Sequence, residues 1–234
     1  MKRIFTILSL GILLFTTRQV SAQDSASFSS GMRRSKIYLV LTAATQGFGG
    51  DLKYVPTPAF NVRAGASILP LKFSKPTTFR SQPTDVDLDG NFSNAHLMFD
   101  WHPFLEGYKL SRKVVVTAGA GYFWKHTATA VISYRGGKQY GDIFIPSSDL
   151  GTLTGDVKWN KIAPYLGFGF ENAFPKNRTS LGFAVGAYYM GKPDASLTGT
   201  KLLANNSSNS EQFQKNMDFY RLLPVLQINF NFGL

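Results

Sequence analysis

The chain has no cysteine among its 234 residues, so no disulfide framework holds it together. After residue 22 it has no uncharged apolar run near the ~20 residues that a transmembrane helix needs, which excludes an α-helical membrane protein. It has only three histidines, thin material for a catalytic or metal-binding constellation. Its 25 basic residues outnumber 14 acidic ones, for a formal charge of +11. The basic residues are scattered rather than clustered, however, which argues against a nucleic-acid partner.

What is present begins with a leader pattern. Lys2 and Arg3 precede a mostly apolar run from Ile4 to Phe15, and Val20-Ser21-Ala22 supplies small residues before Gln23. This predicts a cleaved secretory signal over residues 1–22, an N-terminal segment over 23–35 and one folded domain over 36–234. Cleavage removes Lys2, Arg3 and Arg18 and leaves 22 basic against 14 acidic residues, a net charge of +8.

The strongest signal is period-two alternation, in which every second side chain points to the same face of a strand. At the C-terminus Leu222, Pro224, Leu226, Ile228, Phe230 and Phe232 alternate with Gln227, Asn229 and Asn231. Earlier segments follow the same rule: 37–45, 48–55, 60–68, 94–101, 114–124, a stretch within 153–170, and 181–189. Opposite the large apolar face lie mostly Gly, Ala, Ser, Thr and Asn, which suits a narrow membrane barrel with lipid outside and a small-residue lumen inside. Trp101, Trp124, Tyr189, Tyr220 and Phe232 fall near strand ends, where interfacial aromatic girdles sit.

The expected fold is therefore all-β: an eight-stranded, antiparallel, up-and-down transmembrane β-barrel. Short periplasmic turns would fall at 56–58, 102–112 and 171–178, and longer extracellular loops at 70–90, 125–152 and 191–218. The even count depends on residues 37–55 forming a hairpin at Gln46-Gly47; as one strand they would make the count odd. A secreted soluble β-protein is the competing class.

Three segments in order carry a family resemblance: Asp100-Trp101-His102-Pro103-Phe104; Gly151-Thr152-Leu153-Thr154-Gly155 followed by Lys158; and Ala163-Pro164-Tyr165-Leu166-Gly167-Phe168-Gly169. Together with Leu223-Pro224-Val225 in the last strand, they resemble small Gram-negative outer-membrane barrel proteins of OmpW- and OmpA-like style, over residues 36–234. The resemblance singles out Asp100, Trp101, Pro103, Phe104, Pro164, Tyr165, Gly167 and Gly169, and implies an eight-stranded barrel without established catalysis. Such chains usually end on Phe, whereas this one runs Phe232-Gly233-Leu234. The barrel-assembly machinery is the partner expected to read that last strand.

Candidate sites are few. His96 and Asp100, four apart on one strand, face the lumen and are expected to form a structural pair that Arg63 joins. His102 is assigned to a periplasmic turn and His126 to the start of an outer loop. Asp85, Asp87 and Asp89 open like a calcium loop, but position twelve is His96 instead of Glu, so the EF-hand reading fails and only a looser calcium site remains. Gly47-Phe48-Gly49-Gly50 has no following helix and is no phosphate loop. Ser210 is expected to cap a short helix carrying Phe213 and Met217.

No cofactor and no enzymatic activity are expected. Three functional classes follow. The first is an envelope-structural barrel that passes or binds small, hydrophobic molecules through room left by glycines 65, 119, 121, 167, 169, 182 and 186. The second is a surface binder engaging lipopolysaccharide or a host surface through Lys72, Lys75, Arg80, Lys125, Arg135, Lys138, Lys192 and Lys201. The third and least supported is a membrane hydrolase using His96 or His126. Outer-membrane lipids are the default surroundings, and a monomer the default assembly.

Overall fold

A computed structural model describes residues 36–79, 82–105, 110–171 and 179–234. The expected signal, the 23–35 segment and Arg80 lie outside the described residues. Twelve strands form: β1 (Ile37–Ala44), β2 (Gly47–Tyr54), β3 (Phe60–Phe79), β4 (Gln82–Trp101), β5 (Val114–Tyr134), β6 (Lys138–Tyr140), β7 (Ile143–Ile145), β8 (Thr152–Lys158), β9 (Ile162–Phe170), β10 (Thr179–Tyr189), β11 (Asp194–Gly199) and β12 (Leu222–Gly233). Among the described residues no helix is long and apolar enough to cross a membrane.

Eight of these strands close a ring in the order β1-β2-β3-β4-β5-β9-β10-β12, with β12 returning to pair with β1. All pairings are antiparallel. Closure matches Leu39 to Phe232 and Ala43 to Ile228, so the alternating C-terminal strand leaves no open edge. The first hairpin forms as its alternation requires: Thr45-Gln46 make the turn, and Gly47 enters β2 at φ 106°, a left-handed backbone favoured by glycine. Side chains divide by parity. On β9, Ala163 and Tyr165 are buried while Leu166 and Phe168 project outward, 67% and 60% exposed.

The expected loops at 70–90 and 125–152 are mostly strand. β3 and β4 are 20 residues each and β5 is 21, far beyond the ~9–11 that span a bilayer. The lower half of β5 pairs with β9, from Val114 to Tyr122, and its upper half with β8, from Thr127 to Ser133. The stretch expected as one strand over 153–170 is accordingly two, and β11 continues the wall beside β8. β3, β4, β5, β8 and β11 thus rise beyond the ring as a five-stranded wall. A bulge at Trp124 enables this continuation: Asn94 pairs with Phe123 but Ser93 with Lys125. The extra residue changes which parity of β5 faces inward, something no alternation count across 114–134 would reveal.

A free sheet edge invites pairing with other chains, and both wall edges are managed. On β11 the backbone N–H groups of Ala195, Leu197 and Gly199 donate to Gln214 Oε1 (2.7 Å), Ser210 Oγ (3.0 Å) and Ser207 Oγ (3.0 Å). The expected helix exists, Ser210–Met217, but Ser210 clamps the sheet edge and makes no side-chain cap. Phe213 packs against Gly155, where a Cβ would meet its ring at 3.2 Å. On the opposite edge, β3 carries Pro70 and Pro76, which have no N–H to offer.

Candidate functional site

The lumen holds the greatest concentration of chemistry. Odd residues of β2 and β3 and even residues of β4 point inward, so the register that pairs Lys53 with Arg63 and Gly65 with His96 brings their charges together. Arg63 Nε lies 2.7 Å from Asp100 Oδ2 and its second amino group donates to Asp100 Oδ1 at 3.0 Å. Thr117 Oγ1 donates to the same Oδ1 at 2.7 Å. Asp51 bridges the next level, 3.5 Å from Arg63 and 3.0 Å from His96 Nε2, while His96 Nδ1 sits 2.9 Å from Asn94 Oδ1. Toward the end where β1 begins and β12 ends, Lys53 Nζ donates to both Glu171 oxygens at 2.5 and 2.6 Å, and His102 Nε2 lies 3.3 Å from Glu171.

The expected His96–Asp100 pair is corrected here. Both side chains face the lumen, but Arg63 and Thr117 take Asp100, and His96 turns to Asp51. His102 lies in the connection after β4, where it was expected, and reaches Glu171 from there. Asp51, Lys53 and Glu171 were missed because their partners lie far away in sequence: β2 carries Asp51 and Lys53, Glu171 follows β9, and only barrel closure brings them together. One signal was available: Asp51 and Lys53 alternate with Leu52 and Tyr54 on the inward parity of β2. A charge left alone there would be costly, so each implies an opposite charge nearby.

Above the polar layer an aromatic plug fills the barrel. Phe123, Tyr165, Tyr188, Met98, Met190 and Val225 form one buried cluster, with Trp159 packed against it. Tyr188 meets Phe123 edge-on at 5.2 Å and Tyr165 at 4.8 Å between ring centres, geometries that suit aromatic quadrupoles. The room that glycines were expected to leave is occupied. A Cβ on Gly121 would meet Tyr188 at 2.9 Å, one on Gly167 the Tyr165 hydroxyl at 2.6 Å, and one on Gly65 the Gly50 carbonyl oxygen at 2.5 Å. A lumen void among Asp51, Arg63, His96, Tyr165 and Tyr188 measures about 10 Å³, enough for about one water.

The fold has solved counterparts. The chain is similar to the crystal structures of Acinetobacter baumannii CarO and CarO2, each at a TM-score of 0.61 and 23% identity. The matches cover 88% and 86% of this chain and the whole of each of those. No protein-family model matches the chain, and none of the curated proteins does. At this identity the likeness to CarO establishes the β-barrel fold.

The other candidates are dispersed. Asp85, Asp87 and Asp89 lie in line along β4: Arg135 grips Asp85, with Nε donating to Oδ2 at 3.1 Å, and Lys72 sits 3.4 Å from Asp89. Among the described residues no group of three or more His, Asp or Glu could hold a metal. His126 lies inside β5, buried, and not in a loop. Of the family-like positions, Asp100, Tyr165, Gly167 and Gly169 face the lumen, whereas Trp101, Phe104 and Pro164 are exposed. Pro103 follows β4 in the connection.

Proposed function

We propose that the protein is a non-enzymatic outer-membrane β-barrel that anchors an extracellular wall and is not a diffusion pore. The observation that carries this reading is the lumen, closed by the Arg63–Asp100 pair and the Tyr165–Tyr188 plug around a void of about 10 Å³. An eight-stranded ring is just wide enough to be filled by its own side chains. The outer face supports a membrane setting: Leu52, Phe99, Leu166, Phe168 and Leu226 each stand about half exposed or more, a surface too apolar for water. An apolar groove of about 600 Å³ runs along that face among Ala43, Phe168, Phe183, Val185, Leu226 and Ile228, matching lipid chains better than solvent.

In this reading residues 1–22 direct export, the start of β1 and the end of β12 lie on the periplasmic side, the turns there are short and the wall is extracellular. The barrel is a monomer without a cofactor, and the assembly machinery engages β12. CarO is an outer-membrane β-barrel protein, which supports the same location, and the OmpW- and OmpA-like motifs are consistent with it. Small hydrophobic molecules, when bound, belong to the wall rather than the lumen. Leu71, Phe73, Leu88 and Ile132 lie on the wall face that continues the lumen side, and they remain exposed.

The test is to refold the mature chain in detergent and to compare gel mobility before and after boiling with planar-bilayer conductance. A heat-shifted band without discrete conductance steps is expected. Discrete steps overturn the plugged lumen; solubility without detergent and no heat shift overturn the membrane location.

A further inference from the structure

We propose that the basic arc where ring meets wall, Lys125, Lys158 and Lys161, is a docking surface for the phosphates of lipopolysaccharide in the outer leaflet. The inference rests on the outer-membrane reading and gives its surface-binding side a location.

The junction is stratified as an interface requires. On the β5 and β9 outer face Tyr122, Trp124 and Ile162 are exposed, at 50%, 44% and 68%. Aromatic rings of this kind mark the boundary between acyl chains and headgroups. Next to them come the lysines, on β5, at the end of β8 and just before β9. Lys125 follows Trp124 directly, Lys158 pairs with Thr127 two residues beyond Lys125, and the Lys161 carbonyl accepts the Phe123 N–H at 2.6 Å. All three are exposed, and no described carboxylate forms an ion pair with them. Asp194 stands opposite Lys158 on β11 without bridging to it, and Asp156 is engaged by Thr129 at 2.6 Å.

The arc is one-sided. The outer face of β3 and β4 carries Lys72 against Asp85, Asp87 and Asp89, and Lys72 is spent on Asp89. Among the described residues, exposed lysines without an ion pair gather at this junction, where an anionic headgroup layer would meet them. Lysine binds phosphate as a point charge without fixed geometry, which suits phosphates held in a fluid leaflet.

The experiment titrates the refolded full barrel in zwitterionic detergent with bisphosphorylated lipopolysaccharide and with its dephosphorylated form, alongside the variant K125A/K158A/K161A and the control K72A/K75A. The expected result is binding of the phosphorylated form that weakens steeply with salt, a loss of about tenfold or more in the triple variant, near-wild-type binding by the control, and weak binding of the dephosphorylated form. Equal binding by wild type and triple variant, or by both lipid forms, overturns the proposal. Heat-shifted mobility is read on the same samples. A retained shift with unchanged binding sinks this surface alone, whereas a missing shift in the wild type sinks the outer-membrane reading beneath it.

Discussion

Arg63 Nε and Asp100 Oδ2 lie 2.7 Å apart across the β3–β4 seam, and neither side chain is more than 5% exposed. A buried pair of this kind fixes the register of two strands and closes the lumen at once. Removing one partner strands the other charge in a poorly solvated space. Asp100→Ala should cost about 3–5 kcal/mol, read as a lowered urea midpoint in detergent micelles. A double replacement, Arg63→Met with Asp100→Leu, should cost less than that single change, because it leaves no unpaired charge at this seam.

Glycine is required where strands approach closely, and the requirement is position-specific. A Cβ at Gly169 would overlap the Phe183 carbonyl oxygen and stand 2.8 Å from Ala184 Cα. Backbone cannot step aside as a flexible side chain can, so Gly169→Ala should destabilise the β9–β10 seam by about 1–3 kcal/mol. At Gly50 the nearest atom is 3.8 Å away, and Gly50→Ala should stay within about 0.5 kcal/mol of wild type. Thermal shifts of the two variants in one detergent separate these outcomes.

The free edge of β11 depends on side chains from the segment before β12. Replacing Ser210 by Ala leaves the Leu197 N–H without its 3.0 Å acceptor and should cost about 1 kcal/mol locally. Amide exchange should accelerate in 194–199 while the ring strands keep their protection. Equal protection in the variant would mean that the clamp contributes nothing.

The same clamp has an acid limit. Asp218 sits below its ordinary pKa of 3.8, first because the Gln214 amide donates to it and then because of Lys192, 3.0 Å away. A depressed carboxyl contributes stability that is present above its unfolded pKa and lost as pH falls through the folded one. The helix Ser210–Met217 should therefore loosen only below about pH 3.8, seen as faster exchange of the Ala195 amide. Asp218→Asn should flatten that response. The group is exposed, so global unfolding should shift little.

Alternation alone specified much of the barrel: the inward and outward parity of β1, β2, β9, β10 and β12 follows from side chains pointing to opposite faces every residue, a local property of extended backbone. The apolar exterior was legible for the same reason, as was the first hairpin, whose turn falls at Thr45-Gln46, one residue before the expected Gln46-Gly47. What only the tertiary structure decided was everything that closure and continuation create. Asp51, Lys53, Arg63, Asp100 and Glu171 are spread over some 120 positions, and only the shared register of the ring turns them into one charge network. Residues 70–90 contain Pro70, Pro76 and three aspartates and resemble a loop in sequence. The described part, 70–79 and 82–90, forms strand because β4 pairs on one side with β3 and on the other with β5, and those cross-strand hydrogen bonds outweigh local preference. The glycines promised space by lacking side chains. Tyr165 and Tyr188 fill it, because which ring enters which gap depends on distances across the lumen that no single strand encodes.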